Sequence, residues 1–312
     1  MATQTSTNIE APVTLGSSIT DRDHLKKSRS FYGRAWASFR RDKVAMVALA
    51  ISVLLILFSF GAPIVARLTG HDYETGDLRS QLLPPFKNSS YILGTDANGR
   101  DILTRLAYGG RVSMMVAFLS LIFTFVIGGT VGSIAGFFGG VIDNILMRFV
   151  DVVLSIPGLT LLLLVSVWWR PGPVGLAVVI ASISWTGVSR LIRGEVLALR
   201  HREFVEAARL VGASDRRIIV SHIMPNVLSI VIVWASLALP GLVITEATLS
   251  YLGFGVRIPI PSWGNMLNEA YQFYTQSWTY AFLPGFFIFI TSLCFNLVGN
   301  GLRDALDPRL NK

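Results

Sequence analysis

The sequence predicts an all-α, polytopic membrane protein with about six membrane-spanning helices and a charged two-helix hairpin outside them. Three observations carry this expectation. Of the 312 residues, 52% are hydrophobic and only 15% are charged, where a soluble domain carries roughly 25% charged residues. The apolar residues fall into long uncharged runs, each near the roughly 20 residues a helix needs to cross a hydrocarbon core about 30 Å thick. Lys and Arg collect between those runs instead of on one folded face. The net charge of +8 therefore does not point to nucleic acid, whose partners gather basic residues in one patch, and no nucleic-acid partner is expected.

The elements follow in order. Residues 1–28 are Ser/Thr-rich and polar and are expected to be a disordered tail. The first apolar run begins too late and runs too long for a cleaved signal peptide, so it is expected to stay as an anchor. Within residues 29–43, Phe31, Ala35 and Phe39 recur every four positions, with Tyr32 and Trp36 alongside and Arg34, Arg40 and Arg41 between them. That pattern predicts an elbow helix lying in the headgroup layer; an unstructured basic tail is the alternative. Residues 44–66 form the first expected span.

Residues 67–111 are read as an outer loop containing a turn at Asp96–Gly99 and an amphipathic helix whose buried side is Ile102, Leu103 and Leu106. As a calcium loop the segment fails, because Ala107 stands where the twelfth position needs an acidic ligand. Residues 112–303 make up the core. Its spans are expected at Val112–Phe137, from near Ile145 to Trp169 with Arg148 and Asp151 early in the run, at Val174–Ile192, at Val227–Leu252 and at Tyr280–Leu302. Pro171 and Pro173 break the chain after the third, and Arg190 and Arg193 are expected to snorkel to the headgroups at the end of the fourth. Residues 304–312 are a short tail. With the N-terminus cytoplasmic, 19 of the Lys and Arg fall on inside segments and 8 outside, which favours both termini inside. The member that fits least is the outer loop with Arg100, Arg105 and Arg111.

Gly128, Gly132, Gly136 and Gly140 place four side-chain-free positions on one face of the second span. They predict close helix packing, with a sliding interface as the second reading. Glu246 lies near the outer end of the fifth span, where a carboxylate needs a partner. Either a nearby hydroxyl such as Thr245 or Thr248 holds it, or it belongs to a gate or pathway. In the outer loop 251–279, Trp263, Tyr271, Phe273, Tyr274 and Trp278 read as an aromatic interface belt, or as a surface receiving a delivering protein.

Between the fourth and fifth spans, residues 200–226 read as two short helices meeting at Gly212. Ser214 is placed to cap the second, and Pro225 with Asn226 to stop it. Phe204, Ala207, Ala208 and Val211 follow helical spacing, away from Arg202, Glu206 and Arg209. This apolar strip either docks a partner or packs beneath its own bundle.

Glu206-Ala207-Ala208, then Gly212, then Ile223-Met224-Pro225 resemble the coupling loop (the EAA loop) of importer permeases of the ATP-binding-cassette superfamily, with His222 and Met224 as mild departures. Leu93-Gly94-Thr95-Asp96 through Gly109-Gly110-Arg111, and Gly301-Leu302-Arg303-Asp304-Ala305-Leu306-Asp307-Pro308, resemble blocks of the dipeptide, oligopeptide and nickel branch, nearest its oligopeptide permeases. The resemblance covers about residues 31–312. It implies a subunit of the bacterial cell membrane with a cytoplasmic coupling hairpin. Its partners would be a homologous second permease, two ATPase subunits docked on residues 203–225 and an extracytoplasmic solute-binding protein, and its cargo oligopeptides or dipeptides. The coupling residues it implies are Glu203, Phe204, Glu206, Ala207, Ala208, Gly212, Ala213 and Pro225, with Glu246 as a gate or pathway candidate.

No phosphate-binding loop is present, Gly253-Phe254-Gly255 lacks the third glycine of a dinucleotide fingerprint, and Cys294 stands alone. His24, His71, His201 and His222 lack metal-ligand spacing. No cofactor, metal or catalytic centre is expected on this chain, and ATP and Mg would sit on partner subunits. A self-sufficient secondary transporter or channel remains the alternative function, although neither internal repeats nor coupling-ion ligands are evident; an intramembrane enzyme lacks a visible catalytic constellation.

Overall fold

The computed structural model describes residues 31–168 and 172–306. The expected disordered tail at 1–28, Trp169 to Pro171 at the end of the third expected span, and residues 307–312 lie outside them. Among the described residues the chain is helical, with an isolated antiparallel bridge between Thr95 and Asp101.

Helix α1 (Phe31–Phe39) buries Ala35 and Phe39 against the last helix and leaves Trp36 half exposed, stacked on Phe39. Asp42 then caps α2 (Lys43–Phe60), its Oδ1 accepting from the backbone N–H groups of Val44 and Ala45 at 2.9 and 3.1 Å. Gly61 separates α2 from the short α3 (Ala62–Thr69).

Helix α4 (Ile102–Phe138) is 37 residues long, so the expected amphipathic helix and the second span are one rod. Asp101 starts it, accepting from Thr104 N and Oγ1 at 2.8 and 2.6 Å. The Gly109-Gly110 pair inside it causes no break because Trp263 and Met266 pack directly on the bare backbone.

The third span departs from expectation. Helices α5 (Gly140–Leu154) and α6 (Gly158–Trp168) meet at 84°. The break falls at Pro157, which lacks a donor and pushes Ile156 out of helical geometry. Five helices are long and apolar enough to cross a membrane, or up to six if the bent pair is one span. Arg190 and Arg193, expected to snorkel, both sit on α7 (Pro173–Leu199) and meet carboxylates of α5. Arg193 Nε and Nη2 donate to Asp143 at 2.5 and 2.6 Å, and Arg190 Nη2 to Asp151 at 2.5 Å. Pairing these carboxylates with α7 guanidiniums, Asp143 buried and Asp151 exposed, costs less than leaving them unpaired beside lipid.

The α4–α7 pair is the most extensive in the molecule. A Cβ at Gly128 would meet Trp185 O at 2.7 Å, one at Gly132 Ser189 O at 2.5 Å, and one at Gly136 Arg193 O at 2.8 Å. Gly140 is not part of the seam; it lies beyond the end of α4 at φ +54 with open space around it.

The remaining elements are α8 (Glu203–Leu210), α9 (Asp215–Arg217), α10 (Met224–Tyr251), α11 (Trp263–Ala270) and α12 (Trp278–Leu306). Pro225 does not stop a helix, as the sequence suggested. Residues 218–223 form a π-helical stretch that joins α9 to α10, giving one continuous helix Asp215–Tyr251. Pro225 sits in the first turn of α10, where the widened ladder tolerates its missing N–H, and Asn226 Nδ2 donates to His222 O at 2.6 Å.

Candidate functional site

The hairpin is built by a local C-terminal cap. Helix α8 starts with Glu203 and Glu206 in its first turn and carries Arg209 in its last, the charge order that the helix dipole favours. It ends where Gly212 adopts φ +79: Gly212 N donates to Arg209 O and Ala213 N to Ala208 O, both at 3.0 Å. This pair of bonds is a Schellman closure. Nothing lies within 4 Å of a Cβ placed on Gly212, so its backbone angle and not crowding selects glycine. Ser214 occupies the next N-cap position, but its side chain makes no capping bond.

The apolar strip read from the sequence divides into two faces. Val205 and Ala208 turn inward and join Ile218, Ile223, Val196 and Phe137 in a buried cluster, with Ala213 packed against it. Phe204, Ala207, Leu210 and Val211 turn outward; Phe204 is 40% exposed, Leu210 89% and Val211 85%. One face thus fastens the hairpin to its own bundle, and the other is exposed among the described residues. Glu203 and Glu206 are exposed beside the uncovered face, and Pro225 is exposed at the base of α10. Arg209 stacks over the Phe137 ring at 5.4 Å. Val205 and Leu210, absent from the candidate residues, were discoverable by noting that Val205-Ala208 and Phe204-Ala207-Val211 are distinct helical stripes.

Glu246 lies about 21 residues up α10 from Pro225, roughly 30 Å away at 1.5 Å per residue. Its side chain is fully buried. Ser250 Oγ donates to Oε1 at 2.7 Å, and the hydroxyls of Ser113 and Ser262 face the same carboxyl from α4 and the N-cap of α11, while Oε2 has no bond of good geometry. Thr245 and Thr248, the expected holders, instead donate to Gly241 O and Ile244 O on their own helix. A cavity of about 460 Å³ opens next to this cage, lined by Ser250, Phe254, Arg257, Ile258, Asn265 and Asn268 among others. Glu246 and the hairpin residues are therefore at opposite ends of the bundle.

A second charged cluster at that far end is formed by residues the sequence reading did not join. Asp96 Oδ2 accepts from Arg100 Nε and Arg105 Nη1, both at 2.6 Å. The same two guanidiniums reach Glu269 on α11, Arg100 at 2.7 Å and Arg105 at 3.1 Å, and Tyr280 OH donates to Glu269 at 3.2 Å. Burial pushes the Glu269 carboxyl above its ordinary range while the Arg100 charge pulls it back. Trp263, read as part of an aromatic belt, is instead wholly buried, its Nε1 donating to Leu106 O at 3.0 Å; Tyr271, Tyr274 and Trp278 are exposed. No group of three or more His, Cys, Asp or Glu able to hold a metal is present among the described residues.

Comparison with known proteins places these features in context. Residues 128–312 match the family described as "Binding-protein-dependent transport system inner membrane component", and residues 30–85 match the "N-terminal TM domain of oligopeptide transport permease C". The chain is 39% identical to the oligopeptide transport system permease protein OppC of Haemophilus influenzae, over 91% of this chain and 90% of that protein. It is 36% identical to the dipeptide transport system permease protein DppC of Bacillus subtilis, over 94% and 90%. It is also 36% identical to the glutathione transport system permease protein GsiD of Pectobacterium atrosepticum, over 91% and 93%.

Proposed function

Because the chain belongs to the family of inner-membrane components of binding-protein-dependent transport systems, we propose that it is the permease subunit of an ATP-driven importer of oligopeptides or dipeptides. The importer reading follows from the family. The peptide cargo is supported by the names of the relatives, two of which are peptide permeases, and the glutathione permease among them handles a peptide-like solute by its name.

The observation that carries the mechanism is the uncovered face of the Schellman-closed hairpin: Phe204, Ala207, Leu210 and Val211 are exposed among the described residues, while Val205 and Ala208 lock the same helix to the bundle. An apolar face rimmed by Glu203, Glu206 and Arg202 suits a groove on a soluble partner. In this reading two cytoplasmic ATPase subunits, holding ATP and Mg, grip the hairpins of this chain and of a homologous permease. Ala207 keeps the docking face flat, Glu206 supplies a polar anchor, Gly212 and Ala213 close the turn, and Pro225 marks the base of the lever. A force on α8 passes through the buried cluster to α7 and, by the continuous helix Asp215–Tyr251, to the far end of the bundle. The pathway between the two permeases then alternates its access. A solute-binding protein would deliver peptide at the far, extracytoplasmic end, with both termini of this chain cytoplasmic.

The test is a photo-crosslinking residue at Phe204 in native membranes, followed by purification and peptide-stimulated ATPase assays in liposomes. An adduct with a nucleotide-hydrolysing subunit and stimulation by peptide with its binding protein are expected. Recovery of active transport without any ATPase subunit would replace this reading with a self-sufficient transporter.

A further inference from the structure

Helix α11 has eight residues, too few to hold its shape alone in water, where isolated helices below roughly 12–15 residues are marginal. Its environment explains its order. At its start, Ser262 and Asn265 form a capping box, Trp263 N donates to Ser113 Oγ on α4 at 3.2 Å, and Ser262 lies against Glu246. Three serines surround that carboxyl, and each already accepts a backbone N–H: Ser113 from Trp263, Ser250 from Val256, Ser262 from Asn265. Each serine therefore has its own O–H left to donate, and Glu246 is the acceptor they share. The N-terminal end of α11 also favours a carboxylate beside it.

At the other end of α11, Glu269 is held by Arg100, Arg105 and Tyr280. Between the two ends the helix rests on bare backbone: a Cβ at Gly264 would strike Ala247 O on α10, and one at Gly109 on α4 would lie 3.2 Å from Met266 Sδ. Swinging α11 away would break its contacts at both ends at once: the Trp263 N–H bond to Ser113 at the start and the ion pairs of Glu269 at the finish.

We propose that Glu246 and Glu269 are positioning residues that bolt the two ends of α11 to α4 and α10. On this reading α11 is a fixed strut and not a lid, and it passes displacement at the far face into the two helices that run to the coupling hairpin. The inference rests on the importer reading above. The elements it joins are distant in sequence: Arg100 precedes α4 and Arg105 lies in its first turn, Glu246 lies near the end of α10, and Ser262 to Glu269 follow it.

The experiment uses the whole complex in liposomes with its binding protein and peptide. In a Cys294→Ala background, Gly109→Cys with Met266→Cys is oxidised to tie α11 to α4. Stimulated ATPase and uptake within about two-fold of the reduced state are expected, because the joined parts do not move relative to one another. A loss beyond about five-fold, the lower end of ordinary coupling effects, that reductant restores would show α11 to be a moving lid and overturn the proposal. Glu269→Gln provides the second measurement whether or not the disulfide forms: basal ATPase is expected within about two-fold of the parent and stimulation by loaded binding protein reduced at least about five-fold. Unchanged stimulation would overturn the proposal. Absence of stimulation in the parent complex would instead remove the importer reading itself, so the two failures are distinct.

Discussion

Gly212 shows how a single backbone angle shapes the hairpin. At φ +79 with open space around it, a side chain there meets no neighbour but must adopt left-handed geometry, at a cost of roughly 1–2 kcal/mol for most residues and less for Asn. Gly212→Leu should therefore leave the protein inserted in the membrane and lower peptide uptake about tenfold, the factor that 1.4 kcal/mol represents, while Gly212→Asn retains most of it. Uptake in cells lacking other peptide importers, normalised to the amount in the membrane, measures this; normal uptake by the leucine variant would count against the role given to the hairpin. Glu269 makes a different prediction. Its carboxyl is held above the ordinary value of 4.5, chiefly by burial, so between that value and its folded one the native protein binds more protons than the unfolded chain. Its contribution to stability is then greatest at acid pH and is lost as pH rises through the folded value. Melting of the detergent-purified protein should show this downward slope, and Glu269→Gln should flatten it; an unchanged slope would assign it to another group.

At the scale of elements, the seam between α4 and α7 depends on glycines at 128, 132 and 136 facing carbonyls of the opposing helix. Gly132→Leu would drive a side chain into Ser189 O and the backbone of Arg193, an overpacking cost of about 1–3 kcal/mol, and should lower the melting temperature, whereas Gly194→Leu, on the exposed side of α7 with open space around it, should leave that packing intact. Equal melting of the two variants would remove the seam from the account. These glycines were legible in the sequence because their spacing matches the helix repeat, as were the hairpin turn at Gly212 and the long apolar runs. The bend at Pro157 was not read, because a run of Val and Leu on either side masks it in any hydropathy window. The π-helical join at 218–223 was hidden because Pro225 ordinarily marks a stop. The Asp96–Arg100–Arg105–Glu269 cluster was illegible for another reason: Arg100 and Glu269 meet only once the bundle has formed, and no local pattern encodes a contact between two distant loops.

For the whole molecule, that cluster removes the anomaly in the charge distribution. Arg100 and Arg105, the cations that sat awkwardly on the expected outer side, are buried and paired with Asp96 and Glu269, so they do not act as free positive charge in the finished fold. The geometry of α4 and α7 then decides how many times the chain crosses. Gly128 meets Val188, Gly132 meets Ile192 and Gly136 meets Val196, so residue numbers rise together and the two helices run parallel. A chain that leaves α4 at the hairpin end and enters α7 at the far end must return across the bundle between them, and α5 with α6 is the segment available. The bent pair thus counts as a crossing, giving six with α2, α4, α7, α10 and α12. Six crossings return the chain to the side it started from, in keeping with the packing of α1 and the start of α2 on the end of α12. Helix α10 alone is 28 residues, about 42 Å at 1.5 Å per residue, longer than a hydrocarbon core of about 30 Å. Ser214 and Tyr274, which flank it and are both exposed, should accordingly lie on opposite faces. In right-side-out vesicles a membrane-impermeant thiol reagent should modify Tyr274→Cys at once and Ser214→Cys only after permeabilisation, with Arg41→Cys behaving like Ser214→Cys. Labelling of Ser214→Cys and Tyr274→Cys from the same face would break the crossing count, and labelling of Ser214→Cys from outside alone would invert the molecule and separate the hairpin from any cytoplasmic ATPase.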